Sequence, residues 1–261
     1  MKITWTTTAS LLIESEGCII AFDPFMEMPL NKASDEPGRP ELTDLYRKAD
    51  RVYITHGHFD HIFHFQYIYK GTDTPIYGTA EPLRSLERDG LDPSQLNLIA
   101  PGYKEKFGPF EIEAYQGRHC KFDFPIIVKT LINKRTLTHL KRIREISALR
   151  KLYEENGEML FYELRAEGKR IQIMGSMGMD TDTEYPTEAD LLIMALQGRS
   201  DQDDYAMKFV GKLRPKKILV YHIDDSFPPM SGEIDTLGFE INTRKQGILT
   251  IRPDKGKEYM I

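Results

Sequence analysis

The chain has 261 residues, 40% hydrophobic and 29% charged, with a formal net charge of −5: material for one sizeable domain, in proportions ordinary for a soluble enzyme-sized one. The acidic balance argues against nucleic acid as an obligatory partner, and two cysteines, Cys18 and Cys120, exclude a disulfide framework. With no basic-then-apolar leader and no apolar run near the roughly 20 residues that span a bilayer, the expectation is a cytoplasmic protein in a reducing compartment, without a membrane partner.

In chain order, residues 2–8 and 10–14 read as β-strands, and Gly17 turns the chain into a third, 18–22, that ends at Asp23-Pro24-Phe25. Residues 26–40 show no period and contain three prolines; a loop this long is usually functional, and it is expected to border the active site. A short helix over 43–48 leads into Val52-Tyr53-Ile54-Thr55, a β-branched and aromatic run that reads as a buried strand.

That strand ends in His56-Gly57-His58-Phe59-Asp60-His61. A single histidine is most often a surface or core residue, but three imidazoles and a carboxylate within six residues, at a strand-to-helix corner, are a donor set for a divalent metal such as zinc. Gly57 is expected to let the backbone bend without a Cβ clash, so that His56 and His58 face one point. Asp60 and His61 lie on the next turn and are better placed to serve a second position beside it.

The segment Thr55 to His61 resembles the HxHxDH signature of the metallo-β-lactamase superfamily. The resemblance implies an α/β fold, an αββα sandwich with the metal site along the edge between its two sheets, and an activity that is mostly hydrolysis. It also implies that Asp23, at a strand end beside the metal corner, orients a ligand histidine; read alone, Asp23-Pro24 is equally a turn former.

After the motif, 62–68 is expected to continue as a helix, with His64 a neighbour rather than a ligand. A strand over 75–79, a helix over 80–89 closed by Gly90, and strands over 95–99 and 110–115 follow, an alternation that suits a layered α/β fold. The last strand runs into Gln116-Gly117-Arg118-His119-Cys120, where the resemblance places a third ligand. His119 would complete a three-histidine site with a position left for water, and Cys120 reads as a small buried thiol.

Residues 121–158 are unmatched by the resemblance and read as a helical insertion. Between 121 and 151 nine Lys and Arg stand against Asp123 and Glu145, a local charge of +7 that leaves −12 on the remainder. Leu137, Leu140, Ile143, Ile146, Leu149 and Leu152 recur at every third position, which predicts one buried stripe and a cationic outer face. A lid over the metal cleft, a docking surface for an anionic partner, and a helix packed on its own domain or a second subunit all fit.

A hairpin over 159–166 and 169–174 opens onto Gly175-Ser176, where most two-metal members of the superfamily carry Gly-Asp with a bridging carboxylate. A serine brings no charge, Asp180 and Asp182 do not match the spacing, and one ion or two are both open. A buried strand over 189–195, a helix over 203–213 and a strand from Lys217 lead to His222-Ile223-Asp224-Asp225-Ser226-Phe227. This is similar to the terminal histidine motif of members with Gly-Ser in place of Gly-Asp, and it would bring His222 to Asp60 and His61. Residues 247–253 close the chain as a strand, and 1–261 reads as one domain.

The resemblance therefore implies a metal-dependent hydrolase of small-molecule esters, lactones, amides or phosphoesters, nearest in character to the cytosolic ascorbate-6-phosphate lactonase group. The metal set is His56, His58, Asp60, His61, His119 and His222, with Asp60 catalytic as general base or second-metal ligand. Zinc is expected, with manganese and iron also compatible, at one or two ions per chain. The expected partner is a small molecule, anionic ones included, with a homo-oligomer open. One alternative is a nuclease whose cationic segment grips phosphates; the acidic remainder and the lack of a basic aromatic platform tell against it. The other is a non-catalytic metal binder, for which Asp60 would be superfluous.

Overall fold

The computed structural model describes residues 1–33 and 35–261, and of Lys129 and Leu131 the backbone alone. Ser34 of the 26–40 loop, and the side chain of Lys129 among the nine cations, therefore lie outside the described residues. The first part of the chain lays down β1 (Lys2–Thr7), β2 (Ser10–Ser15), β3 (Cys18–Phe22), β4 (Arg51–Tyr53), β5 (Ile76–Gly78) and β6 (Leu96–Leu98). The second lays down β7 (Lys104–Phe107), β8 (Phe110–Gln116), β9 (Leu160–Ala166), β10 (Lys169–Met174), β11 (Leu191–Ala195), β12 (Lys217–Tyr221), β13 (Leu249–Ile251) and finally β14 (Glu258–Met260). Helices fall between them: α1 (Leu42–Tyr46), α2 (Phe59–Ile62), α3 (Phe65–Tyr69), α4 (Ala80–Arg88), α5 (Phe124–Ile132), α6 (Lys134–Thr138), α7 (Leu140–Leu152), α8 (Gln202–Leu213) and α9 (Leu237–Lys245).

Two seven-stranded sheets result, in the orders β14-β1-β2-β3-β4-β5-β6 and β13-β12-β11-β10-β9-β8-β7. Each begins as an antiparallel meander, β1 to β3 in one and β7 to β10 in the other, and then turns parallel, over β3 to β6 and β10 to β13. The parallel strands β11 and β12 are nearly continuous apolar runs, as strands covered on both faces must be. Between the sheets lies one apolar layer in which Trp5, Leu11 and Phe22 of the first meet Tyr162, Ile173 and Val220 of the second. A second layer packs Val52 and Ile54 against Tyr46, Ile62, Phe65 and Leu86 of the outer helices, while α8 and α9 bring Ala206, Val210 and Phe239 to the other sheet. This is the expected αββα sandwich.

Three expectations fail. The helix over 62–68 is broken into α2 and α3, because His64 begins a new helix and its Nδ1 accepts the Met26 N–H at 3.0 Å. No described residue of the 26–40 loop lines the cavity described below. Met26 and Met28 are fully buried, Met28 N–H donates to Ser226 O at 2.6 Å, and Arg142 of α7 caps the carbonyls of Met28 (2.9 Å) and Pro29 (3.1 Å). Nor is there one buried stripe over 137–152: Ile146 is fully buried, but Leu137, Leu140 and Leu152 are 57%, 53% and 48% exposed. A three-residue step falls about 60° short of a full turn, so six such positions wind around a helix instead of lining one side, and the chain also breaks at His139 between α6 and α7.

The sheets touch where β4 ends and β9 begins. Leu160 N–H donates to Thr55 O at 2.8 Å, and the Tyr162 hydroxyl donates to Ile54 O at 2.7 Å. Gly175, at the end of β10, has no room for a Cβ because the Thr55 side chain occupies that space. The metal motif therefore starts from a point pinned by both sheets.

Candidate metal centre

Every residue of the predicted metal set stands at or just beyond a strand end on this edge. His56 and His58 follow β4, Asp60 and His61 ride on α2, His119 follows β8 and His222 follows β12. Gly57 does avoid a Cβ clash, as expected, but with a remote carbonyl and without a special backbone conformation. Its φ is not in the left-handed region; a Cβ there would instead come 2.6 Å from the Glu154 carbonyl oxygen beyond α7. Gly57 is a close-approach glycine.

Two groups form. His56, His58 and His119 each present a ligand nitrogen, and these atoms lie within 4.8 Å of one another; Asp60, His61 and His222 form a second such group. The groups adjoin, with the rings of His56 and His61 centred 3.9 Å apart. In the first group His56 Nε2 and His58 Nδ1 are 3.1 Å apart, close to the ~3.3 Å separating two nitrogens held tetrahedrally at ~2.05 Å from one ion. His119 donates Nδ1–H to Cys120 O at 2.8 Å, which leaves Nε2 as the free lone pair. In the second group His222 Nε2 lies 3.1 Å from Asp60 Oδ2.

Electrostatics favour the ligand forms. Burial, reinforced by the neighbouring imidazoles, holds His56 well below the ordinary histidine range. Burial and His119 lower His58 to about 3, and burial lowers His119 to about 4. All three are thus neutral at pH 7, with lone pairs to give. Burial alone would raise Asp60, but the hydrogen bond from His222 and the charge of His61 outweigh it and hold the carboxyl below its ordinary range, ionised. A divalent ion fits this donor set: neutral imidazoles crowded at ligand distance, beside one buried carboxylate.

Asp23 is fully buried and does more than form a turn. Its Oδ1 accepts the Thr55 N–H at 2.7 Å; its Oδ2 accepts the Thr55 hydroxyl at 2.6 Å and His61 Nδ1–H at 2.8 Å. Burial would lower His61, yet the charge and hydrogen bond of Asp23, with the charge of Asp60, raise it. A proton fixed on Nδ1 leaves Nε2 for a metal, the usual carboxylate–histidine arrangement. Asp23 and His222 both adopt left-handed backbone, φ 44° and 58°, a cost accepted where surroundings over-determine the geometry. For His222 those surroundings include its own N–H, which donates to Thr8 O at 2.8 Å.

Ser176 stands beside the groups without adding charge; its hydroxyl accepts the Cys120 N–H at 3.0 Å and so steadies the residue after His119. Asp180 belongs to neither group, since Arg118 holds it at 2.6 Å. Cys120 is buried, and burial pushes its thiol up to about 12. His64 also belongs to neither group. Sequence reasoning missed Thr55, Asp224 and Asp225. Thr55 Oγ1 touches Asp23, His56 and His61 at once. Asp224 accepts from Thr7 and Thr8 and pairs with Lys255 at 2.6 Å, anchoring the His222 turn. Asp225 binds Arg135 of α6 at 2.5 Å. All three stand inside the quoted motif segments, which gave them no role of their own.

The groups open onto a cavity of about 730 Å³. Phe122, Ile126, Ile127 and Arg150 of the 121–158 segment form one wall, and Phe227 to Asp235 contribute another. The segment is tied to the rim by the Arg135–Asp225 pair, by Arg199 Nη1–H to Lys121 O at 3.1 Å and by Ser200 N–H to Asp123 at 3.1 Å.

Comparison with known proteins bears on the fold and the family. A UPF0173 metal-dependent hydrolase of Pyrobaculum arsenaticum is 31% identical over 108 residues, 41% of this chain and 45% of that protein, so the match spans about half of the relative's length. Igni18, a metallo hydrolase from Ignicoccus hospitalis, superposes with a TM-score of 0.62 at 18% identity, covering 100% of this chain and 98% of that one. The isothiocyanate hydrolase from Delia radicum gut bacteria gives 0.61 at 15%, covering 100% and 99%. A family model described as the beta-lactamase superfamily domain matches residues 2–222. The chain therefore belongs to the β-lactamase superfamily, in its metallo-β-lactamase branch.

Proposed function

We propose that the protein is a metal-dependent hydrolase acting on an ester, lactone, amide or phosphoester bond of a small molecule. One observation carries this reading: two adjoining three-residue donor groups, one with its only carboxylate buried and ionised, share a cavity of substrate size. A divalent ion bound there supplies Lewis acidity, which polarises the scissile carbonyl or phosphoryl oxygen and eases loss of a proton from water. His56, His58 and His119 hold the first ion; Asp60, His61 and His222 hold a second. Asp60 is also the base that receives or orients the water proton. With Ser176 in place of a carboxylate, the second site draws negative charge from Asp60 alone and is the weaker of the two. Zinc fits the imidazole-rich first site best, and manganese and iron fit the second as well.

The chain reads as one domain in which 121–158 serves as a lid over the cavity. The names of the curated relatives support the hydrolase reading, and the isothiocyanate hydrolase shows that this fold hosts attack on small electrophiles. No observation favours a nuclease. Arg142 is buried against the 26–40 loop and Arg135 is paired with Asp225, which removes two of the cations from any phosphate-gripping surface. No helix among the described residues is long and apolar enough to cross a membrane.

The test is a panel of 4-nitrophenyl esters, lactones and phosphodiesters with zinc-reconstituted protein. Hydrolysis is expected from the natural chain, loss of both zinc and activity from His58→Ala, and a fall of about 100-fold or more in turnover, with the first ion retained, from Asp60→Asn. Full activity in either variant would overturn the assignment.

A further inference from the structure

The cavity wall carries two arginines, and they differ in one respect. Arg199 is consumed internally: it is bidentate to Asp201 at 2.6 and 2.9 Å, donates to Lys121 O, and lies 4.2 Å over the Tyr205 ring. Arg150, on the last turn of α7, has neither a hydrogen bond nor an ion pair to the described residues. Its guanidinium rests 5.4 Å from the centroid of Phe122, whose ring in turn stands 6.0 Å from that of His119. A cation stacked on a cavity aromatic, one ring away from the proposed first ion, keeps its fork of N–H donors for something that enters the cavity.

The rest of the lining describes that something. Ile126, Ile127, Phe227, Pro229 and Met230 offer an apolar surface. Of the acids on the wall, Asp60 belongs to the second donor group, Glu233 is paired with Arg252 at 2.9 Å and Asp235 accepts the Leu237 N–H at 3.0 Å; none of the three forms an ion pair with Arg150. Resting on the hydrolase reading, we propose that Arg150 is the anion-recognition residue of the cavity and that the substrate is an amphipathic anion. Its apolar body lies along the Ile126–Phe227 walls, and a carboxylate or phosphate at the end remote from the scissile bond meets Arg150.

The experiment compares a 4-nitrophenyl ester of hexanoic acid with the mono-4-nitrophenyl esters of adipic acid and of an ω-phosphono acid of equal length. The natural chain should prefer one or both anions. Arg150→Gln should raise KM for the preferred anion about tenfold, with kcat and the neutral ester within twofold and metal content unchanged; Arg150→Lys should recover only part of the loss. Which anion loses more identifies the oxyanion. Calorimetric binding of the corresponding non-hydrolysable ketone acid should weaken by the same factor. Equal kinetics for charged and neutral esters, or binding indifferent to Arg150→Gln, would overturn the proposal while leaving the hydrolase reading in place. Arg150-dependent binding, with no hydrolysis of these esters or of the lactone and phosphodiester panel, would instead uphold the anion site and remove the hydrolase reading.

Discussion

Replacing Asp23 with Asn changes one atom in a buried carboxylate, and its consequence follows from the hydrogen-bond directions. The natural side chain is acceptor-only and receives three donors: the Thr55 N–H at 2.7 Å, the Thr55 hydroxyl at 2.6 Å and His61 Nδ1–H at 2.8 Å. In the Asp23→Asn variant the Thr55 N–H keeps its acceptor oxygen, and the new NH2 group faces Thr55 Oγ1 and His61 Nδ1. The hydroxyl rotates to accept, but His61 must give up its Nδ1 proton and carry it on Nε2, the nitrogen otherwise free to bind an ion. Loss of such an orienting partner typically costs ten- to a hundredfold in metal affinity, about 1.4–2.8 kcal/mol. The loss should fall on the ion at Asp60, His61 and His222, because His61 is the ligand that bonds Asp23 directly, whereas His119 keeps its tautomer through the Cys120 carbonyl. The assay is a zinc titration of the apoprotein against a fluorescent chelator, in which the weaker of two steps shifts and the tighter does not. An unshifted weaker step, or a shift confined to the tighter one, would refute the argument.

Other expectations are independent of it. His64 is fully buried, outside both donor groups, and burial lowers it to about 3. Between that value and the ordinary ~6.5 of the unfolded chain, the unfolded state holds a proton the folded state lacks. The contribution is therefore present above pH 6.5 and is lost as pH falls, at about 1.4 kcal/mol per pH unit. His64→Asn, which keeps an acceptor for the Met26 N–H, should flatten the fall in urea-measured stability between pH 6 and 4 by about that slope; an unchanged slope would remove His64 from the account. Ser176→Asp should tighten the weaker zinc step about tenfold or more by restoring a charge between the groups, since a carboxylate oxygen can still accept the Cys120 N–H; no tightening would mean that the residue lies outside the second site's reach. Ile146→Ala should cost about 2–4 kcal/mol, whereas Leu140→Ala, at 53% exposure, should stay within ~0.5; equal losses would contradict the placement of α7.

The site was legible in the sequence to the extent that its residues are contiguous. His56 to His61 announce themselves because five of their six positions either carry a donor or clear space for one, and strand-end placement then leads to His119 and His222. The role of Asp23 came only with the resemblance, because an Asp-Pro at a strand end is locally indistinguishable from a turn. What stayed hidden depends on contacts remote in the chain. Arg142 sits in a run of cations and looks solvated, yet it caps carbonyls 114 and 113 residues away, and that contact ties the start of the 26–40 loop, where Met26 and Met28 are buried, to α7. Gly57 was read for flexibility, when the demand on it comes from Glu154 almost a hundred residues on. The spacing of Leu137 to Leu152 imitated a helical face, but a step of three does not keep to one side of a helix.

The central claim is that this edge of the sandwich holds two adjacent metal sites, one built on His56, His58 and His119 and the other on Asp60, His61 and His222. It is tested most directly by counting ions per chain by mass spectrometric elemental analysis after zinc reconstitution and desalting, in the natural chain and in His58→Ala and His222→Ala. Two zinc ions per natural chain are expected, one for each donor group, with the loss of a different one in each variant. A natural chain that takes up no ion, or variants that both keep the full complement, would contradict it.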